Sequence, residues 1–405
     1  EKQQRSIGVF GLFGGGNLGN EATLGSTQQA LRVRFPGARI VLLSAPPPEE
    51  AEVGVVDTAL PHDPFPLPLS TWNVGPWRWR RRLRSLLLRV TDPVRTLRMR
   101  EIARGLDMLL IPGTGIADDF YQDPFEVPRL LARWCTVMSE LGRPVRFLSI
   151  GAGPVVDPLS VRWLRDALSC ADFRSYRDRP SLEFATSIGV DTTKDRVSPD
   201  LVFALSAGDG ARAPAWPPRT VGLGVMGYRG WNVSSTEGER LYVGYVRRLV
   251  ILAAAILSRG LDVRLLVGHR RDDERAVRDV MAALADRPDA QRGTLTAAAI
   301  RSHRDVMREA SVVDVVIATR FHNVVLALLL GRPVISIEYG KKNSALLSEM
   351  GLAHYCHRAE SFDPEVIVRQ LDDLIALPAP PLETARSQLA QYRAALTVQY
   401  DTLVG

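Results

Sequence analysis

The sequence predicts an α/β protein of two domains, each a parallel sheet with helices on both faces. Short apolar runs alternate with longer amphipathic stretches, once before and once after a Gly/Ala/Pro-rich passage at Ser206–Pro218. That alternation implies parallel strands joined by helical crossovers. Glycine-rich turns follow several of the apolar runs. A chain of 405 residues also exceeds one ordinary core and suits two domains of about 200 residues each.

In the first half, Ile7–Phe10 reads as a strand entering Gly11-Leu-Phe-Gly-Gly-Gly-Asn-Leu-Gly19. Asn20 is placed to cap a helix reaching about Phe35. Strands are expected at Arg39–Ser44, Leu106–Ile111, Val145–Ile150, Phe173–Tyr176 and Leu201–Ala204, and helices at Glu126–Leu141, Leu159–Cys170 and Ser181–Ile188. After the linker the strands are Thr220–Met226, Val263–Val267, Val312–Ala318 and Val334–Ile337. Between them lie helices Glu239–Ser258, Glu274–Ala285 and Asn323–Leu329, with further helices beyond Lys342 that end in Glu383–Leu403. The domains are therefore 1–205 and 219–378, joined by 206–218, with 379–405 a terminal helix able to pack back on the first domain. Ligands of such folds usually sit in the cleft between two units of this kind.

Composition narrows the function. Apolar residues make up 46% and charged residues 24%, as in a soluble globular protein. No apolar run reaches the roughly 18 residues that span a bilayer. The polar start Glu1–Ser6 lacks a signal-peptide layout, so a cytoplasmic protein is expected. Cys135, Cys170 and Cys356 are scattered, without metal spacing, and read as small buried hydrophobes. Between Arg78 and Arg104 ten arginines face Asp92 and Glu101, a balance of +8 in a chain of net charge +6. One basic segment on an otherwise slightly acidic chain argues against a nucleic-acid binder.

Three glycine turns close three apolar strands of the first half: Gly14-Gly-Gly16, Gly113-Thr-Gly115 and Gly151-Ala-Gly153. In a parallel sheet they share the carboxyl edge, where glycine serves either a tight turn or the close approach of a ligand to backbone. Neither a dinucleotide fingerprint nor a G-x-x-x-x-G-K-[ST] loop is present. In the second half, Arg320 and His322 follow directly on the strand ending at Ala318, and Lys342 follows the next strand. An arginine there adds a phosphate or carboxylate fork to a helix N-terminus. Histidine titrates near neutral pH and can exchange a proton. His269 ends another strand and either touches a ligand or sits in a surface loop. Asp118 and Asp119 either bind hydroxyls or cap the next helix.

Arg320-Phe-His322, its Ala-containing apolar helix, Gly331-Arg-Pro333 and Tyr339-Gly-Lys-Lys342 together resemble the C-terminal signature of the polysaccharide pyruvyl transferases. Gly16-Asn-Leu-Gly-Asn-Glu21 is similar to that family's opening motif. Gly113-Thr-Gly115 with Asp118 or Asp119, Ser149-Ile-Gly-Ala-Gly153 and Arg177-Asp178-x-x-Ser181 fall in the family's order, from Ile7 to about Leu352. The resemblance implies two Rossmann-like domains in a glycosyltransferase-B-like arrangement with an interdomain cleft. It implies a cytoplasmic enzyme of cell-envelope polysaccharide biosynthesis that moves a pyruvyl group from phosphoenolpyruvate onto a sugar as a ketal. Phosphoenolpyruvate is then a co-substrate, held by Arg177, Arg320 and Lys342, and neither cofactor nor metal is required. Asn17, Asp118, Asp119 and His269 would face the acceptor sugar. Many members carry Asp where this chain has Asn20, so the proton carrier would be Glu21 in its place or His322 alone.

The basic segment at 72–104 sets Trp72, Trp77 and Trp79 beside Arg80-Arg-Arg82, with Leu83, Leu86, Leu87, Leu88 and Val90 on one helical side. It is either an interfacial helix at an anionic membrane carrying a lipid-linked acceptor, or a solvated insertion packed on its own domain. Two other functions fit the same architecture: a nucleotide-sugar glycosyltransferase using Arg320 and Lys342 as diphosphate clamps, and a catalytically silent glycan-binding protein. The acceptor sugar, its hydroxyl pair, the ketal stereochemistry and the oligomeric state are not written in these motifs.

Overall fold

The computed structural model describes residues 4–44, 57–61, 63, 77–117, 124–206, 212–230, 233–285, 287 and 292–404, with backbone only at Ser44 and 77–90. The chain forms two compact units. The first comprises Glu1–Gly15, Thr23–Leu201 and Ala395–Gly405, and the second Gly16–Ala22 and Val202–Ala394.

The first unit holds strands β1 (Ser6–Gly11), β2 (Arg39–Ser44), β3 (Thr58–Pro61), β4 (Met108–Pro112), β5 (Val145–Ile150), β6 (Phe173–Tyr176) and β7 (Arg196–Val197). They pair in parallel in the order β3-β2-β1-β4-β5-β6-β7. Because crossover helices cover both faces, the central strands are unbroken apolar runs; β4, Met-Leu-Leu-Ile-Pro, is buried throughout. The helices are α1 (Leu18–Arg34), α2 (Trp77–Arg104), α3 (Val127–Glu140), α4 (Pro158–Ser169) and α5 (Arg179–Ser187). Helix α3 turns Leu130, Leu131, Trp134, Cys135 and Met138 into the core. Helix α4 starts at an Asp-Pro pair, Asp157 accepting from the Leu159 and Ser160 amides.

The second unit repeats the design with β8 (Thr220–Gly224), β9 (Asp262–Leu266), β10 (Leu295–Ala297), β11 (Val315–Ala318), β12 (Val334–Glu338) and β13 (Cys356–Arg358). All are parallel, ordered β10-β9-β8-β11-β12-β13. Its helices are α6 (Ser235–Ser258), α7 (Glu274–Leu284), α8 (His303–Ser311), α9 (Phe321–Leu329), α10 (Lys342–Glu349) and α11 (Pro364–Ala376); α12 (Glu383–Asp401) follows. In each sheet the strand order reverses beside the first strand, at β1/β4 and at β8/β11. Ligands of doubly wound sheets bind at the carboxyl ends of strands at such a switch point. The end of α12 belongs to the first unit: Gln399 Nε2 donates to Ser149 Oγ (3.0 Å) and Arg34 Nε to Asp401 (2.9 Å).

Several expectations are corrected. Leu201–Ala204 is a 3-10 turn, because Leu201, Val202 and Phe203 are all buried and an unbroken apolar run has no period to read. Strands β3, β7, β10 and β13 and helix α8 were not expected; the strands are two to four residues long and exist through long-range pairing. Helix α6 is apolar enough to cross a membrane by length and composition, at mean hydropathy 1.6, where no such run was expected. Tyr242, Tyr245, Leu249, Leu252 and Ile256 are buried in its own unit, against α7 and α11. Residues 16–22, placed by the sequence in the first domain, cluster with the second unit.

Asp314, fully buried ahead of β11, accepts from the amides of Ala215, Arg219 and Thr220 at 2.7–3.0 Å and pairs with Arg212. Burial pushes its pKa up, but those amides and Arg212 bring it below the ordinary carboxylate value. Its stabilisation is therefore complete above about pH 4 and lost as pH falls through the lowered native pKa. Asp314→Asn is expected to cost about 1–3 kcal/mol at neutral pH and to flatten that acid limb, read by urea unfolding across pH.

Candidate active site

The second sheet's switch point lies between Gly224, ending β8, and Ala318, ending β11. These ends are close: a Cβ on Gly224 would stand 2.7 Å from Ala318 Cβ. Beyond Ala318, Thr319 is buried and its Oγ1 hydrogen-bonds the Tyr245 hydroxyl at 2.7 Å. Arg320 occupies the N-cap position of α9 without capping it by side chain, so His322 falls in the helix's first turn. Amides of a first turn lack helical partners and attract anions.

Arg320 turns to Asp273, a fully buried carboxylate, donating from Nη2 to Oδ1 (2.6 Å) and from Nε to Oδ2 (3.1 Å). Burial alone would lower the arginine's pKa; the Asp273 charge overrides it, and the net shift is upward. The guanidinium thus stays charged with one side committed. The sequence reading missed Asp273, which stands in the N-cap position of α7 but caps nothing with its side chain.

The opening motif arrives at the same edge. Asn17, not Asn20, caps α1, its Oδ1 accepting from the Gly19 (3.1 Å) and Asn20 (3.4 Å) amides. Asn20 lies inside the helix and is buried. Backbone bonds Leu18 N to Gly268 O (3.0 Å) and Arg270 N to Gly16 O (2.9 Å) pin the motif to the loop after β9, with an antiparallel bridge between Asn17 and His269. Glu21 stands 3.9 Å from Arg270. Gly19 faces the His322 ring so closely that any Cβ would overlap it. Asn17, Gly19, Glu21, His269, Arg320 and His322 therefore share one rim of the second unit.

Lys342 opens α10, its Nζ 4.9 Å from the Tyr339 ring centroid and 5.4 Å from that of Phe321. His322 meets the same Phe321 edge-on at 5.3 Å, so Lys342 and His322 flank one ring. His269 Nδ1 accepts from the Asp272 amide at 3.3 Å. Its pKa is lowered, chiefly by burial and further by Arg320, against the pull of Asp272.

Arg177 belongs to the first unit, after β6, where Nη1 is 3.4 Å from Asp200 and Nε 3.7 Å from Asp178. Its guanidinium covers Gly151, whose Cβ would come within 2.5 Å of Nη2. Gly113 is glycine because a Cβ would overlap the Ser149 carbonyl, a packing reason rather than a ligand. Asp118 and Asp119 lie outside the described residues, as does Trp72. The basic segment from Trp77 onward is helical as α2; the side chains of 77–90 are not described.

Gly19→Ala is expected to displace the His322 ring, shifting that imidazole's resonances and costing about 1–3 kcal/mol by overpacking. In spectra of histidine-labelled protein, His269 should titrate below the ordinary value of about 6.5. A lowered histidine pKa favours the neutral form in the fold, so its stabilisation is lost as pH falls through that range.

The family model described as polysaccharide pyruvyl transferase matches residues 17–341. No protein of curated function matches the chain in sequence. Among solved structures, a UDP-N-acetylglucosamine 2-epimerase aligns at TM-score 0.59 and 12% identity, over 99% of this chain and 97% of that one. The UDP-GlcNAc 2-epimerase of Methanocaldococcus jannaschii aligns at 0.57 and 8%, over 98% and 99%. Spinosyn rhamnosyltransferase, complexed with thymidine diphosphate, aligns at 0.51 and 15%, over 99% and 100%. At such identities the likeness is one of fold, two parallel-sheet Rossmann-like domains of the glycosyltransferase-B-like kind. Because the family match runs from Asn17 of the opening motif to the residue before Lys342, the chain belongs to the polysaccharide pyruvyl transferase family and is a glycan-modifying transferase.

Proposed function

We propose that this protein moves the pyruvyl group of phosphoenolpyruvate onto two hydroxyls of one sugar, in a glycan or glycolipid, as a cyclic ketal with release of phosphate. The observation that carries the reading is the grouping of Arg320, His322 and Lys342 at the second sheet's switch point, with the opening motif packed against His322.

The chemistry asks for cations and for proton transfer. A proton adds to the methylene carbon of the enol, and the adjacent carbon becomes oxocarbenium-like. One sugar hydroxyl attacks it and loses its proton. The C–O bond to phosphate breaks, the second hydroxyl attacks the same carbon, and its proton leaves. Phosphoenolpyruvate and a diol thus become ketal and phosphate without redox change. Lys342 and the uncommitted edge of Arg320 suit the anionic donor, assisted by the first-turn amides of α9. His322 is the proton carrier, and Glu21, which replaces the usual Asp one position earlier, takes a hydroxyl proton. Asn17 and His269 suit the acceptor.

Phosphate release from phosphoenolpyruvate, assayed with galactosides, glucosides and mannosides, tests the reading. Acceptor-dependent release is expected, lowered by about 10²–10⁴ in His322→Ala. Lys342→Ala should raise the KM for phosphoenolpyruvate about tenfold to a hundredfold. Turnover of a nucleotide sugar without phosphoenolpyruvate would replace the proposal. The Trp/Arg composition of the segment at 72–104 supports an acceptor presented at an anionic membrane surface. Co-sedimentation with anionic vesicles at low salt is expected, and its absence removes that part.

A further inference from the structure

We propose that Asp273 is a positioning residue of the donor site: it locks the guanidinium of Arg320 so that one fixed pair of N–H groups faces the anion. The inference rests on the donor site proposed above. Asp273 stands in the N-cap position of α7 yet caps nothing with its side chain. Its Oδ1 accepts from the Gly227 amide (3.1 Å) and Arg320 Nη2 (2.6 Å). Its Oδ2 accepts from the amides of Gly268 (2.9 Å) and His269 (2.8 Å) and from Arg320 Nε (3.1 Å). The donors come from the loops after β8, β9 and β11, so one carboxylate sets the spacing of three strand ends.

The consequence for Arg320 is directional. Guanidinium is planar with five N–H groups, and Asp273 takes the Nε side. What Asp273 leaves is the Nη1/Nη2 edge, a second fork suited to one phosphate or carboxylate, with the exposed Asp272 carboxylate 4.0 Å from Nη2. The stem is held as well: it crosses Gly268, where a Cβ would stand 2.6 Å from Arg320 Cγ. With its charge balanced by a buried carboxylate, Arg320 supplies aim, and Lys342 supplies the net positive charge. An arginine free to change rotamer would lose side-chain entropy at each binding event; this one has already lost it on folding.

Calorimetric titration with inorganic phosphate tests this without assuming the donor. Wild type, Asp273→Asn, Gly268→Ala, Arg320→Lys and the Asp273→Asn/Arg320→Lys double variant are compared. Asp314→Asn serves as a buried-carboxylate control at the opposite edge of the sheet. Asp273→Asn and Gly268→Ala are expected to weaken phosphate about tenfold to a hundredfold, the worth of charge-assisted hydrogen bonds. The double variant should bind within about twofold of Arg320→Lys alone, as expected if both changes act on one interaction. Asp314→Asn should bind as wild type. In turnover with phosphoenolpyruvate, Asp273→Asn should raise KM more than it lowers kcat. If Asp273→Asn does not fold, Gly268→Ala decides. Binding by either folded variant within twofold of wild type overturns the proposal, as does a wild type that does not bind phosphate. Phosphate binding that responds as expected, in a protein that does not turn over phosphoenolpyruvate, would remove the donor assignment and leave the positioning role standing.

Discussion

The carboxylate of Asp273 is the constraint on which the loops at the carboxyl edge of the second unit's sheet depend. A parallel sheet brings strand ends to one side, but it does not by itself set the distances between the loops that leave them. Here one buried charge collects amides from two loops and a guanidinium from a third. Those donors satisfy both oxygens of the buried carboxylate. Removing a partner would leave an uncompensated buried charge, which is costly. The loops are therefore held together by electrostatics and hydrogen bonding where apolar packing ends.

Close approach is the second theme. Gly19 admits the His322 ring, Gly268 the Arg320 stem, and Gly224 the end of β11. In the first unit Gly151 admits the Arg177 guanidinium. None of these four glycines adopts left-handed backbone; neighbouring atoms occupy the space where a Cβ would be. The glycine turns thus seat an imidazole and two arginines against backbone. This also explains why the opening motif, distant in sequence, belongs with the second unit: it is bonded to the loop after β9 and shaped to His322.

The helix-end chemistry completes the arrangement. His322 in the first turn of α9 and Lys342 at the start of α10 both meet the Phe321 ring. One aromatic ring thus contacts both groups, the ammonium favoured by the ring face. The fold is shared with epimerases and glycosyltransferases, so the family is assigned by the match over residues 17–341 and not by the fold.

The amino-acid sequence by itself determined the alternation of strands and helices, the class of two parallel-sheet α/β domains, and the family, through Arg320-Phe-His322, Tyr339-x-x-Lys342 and the opening Gly-Asn motif. These are legible because periodicity and strand-end chemistry are local. Only the tertiary structure decided that Asn17 rather than Asn20 caps α1, that Leu201–Ala204 is a turn, and that residues 16–22 join the second unit. Only it showed Asp273 turning away from its own helix to hold Arg320. The Asn17 cap is a choice among local partners that the sequence leaves open. Which guanidinium meets a buried carboxylate, and which side chain fills the space over a glycine, depends on neighbours tens to hundreds of residues away.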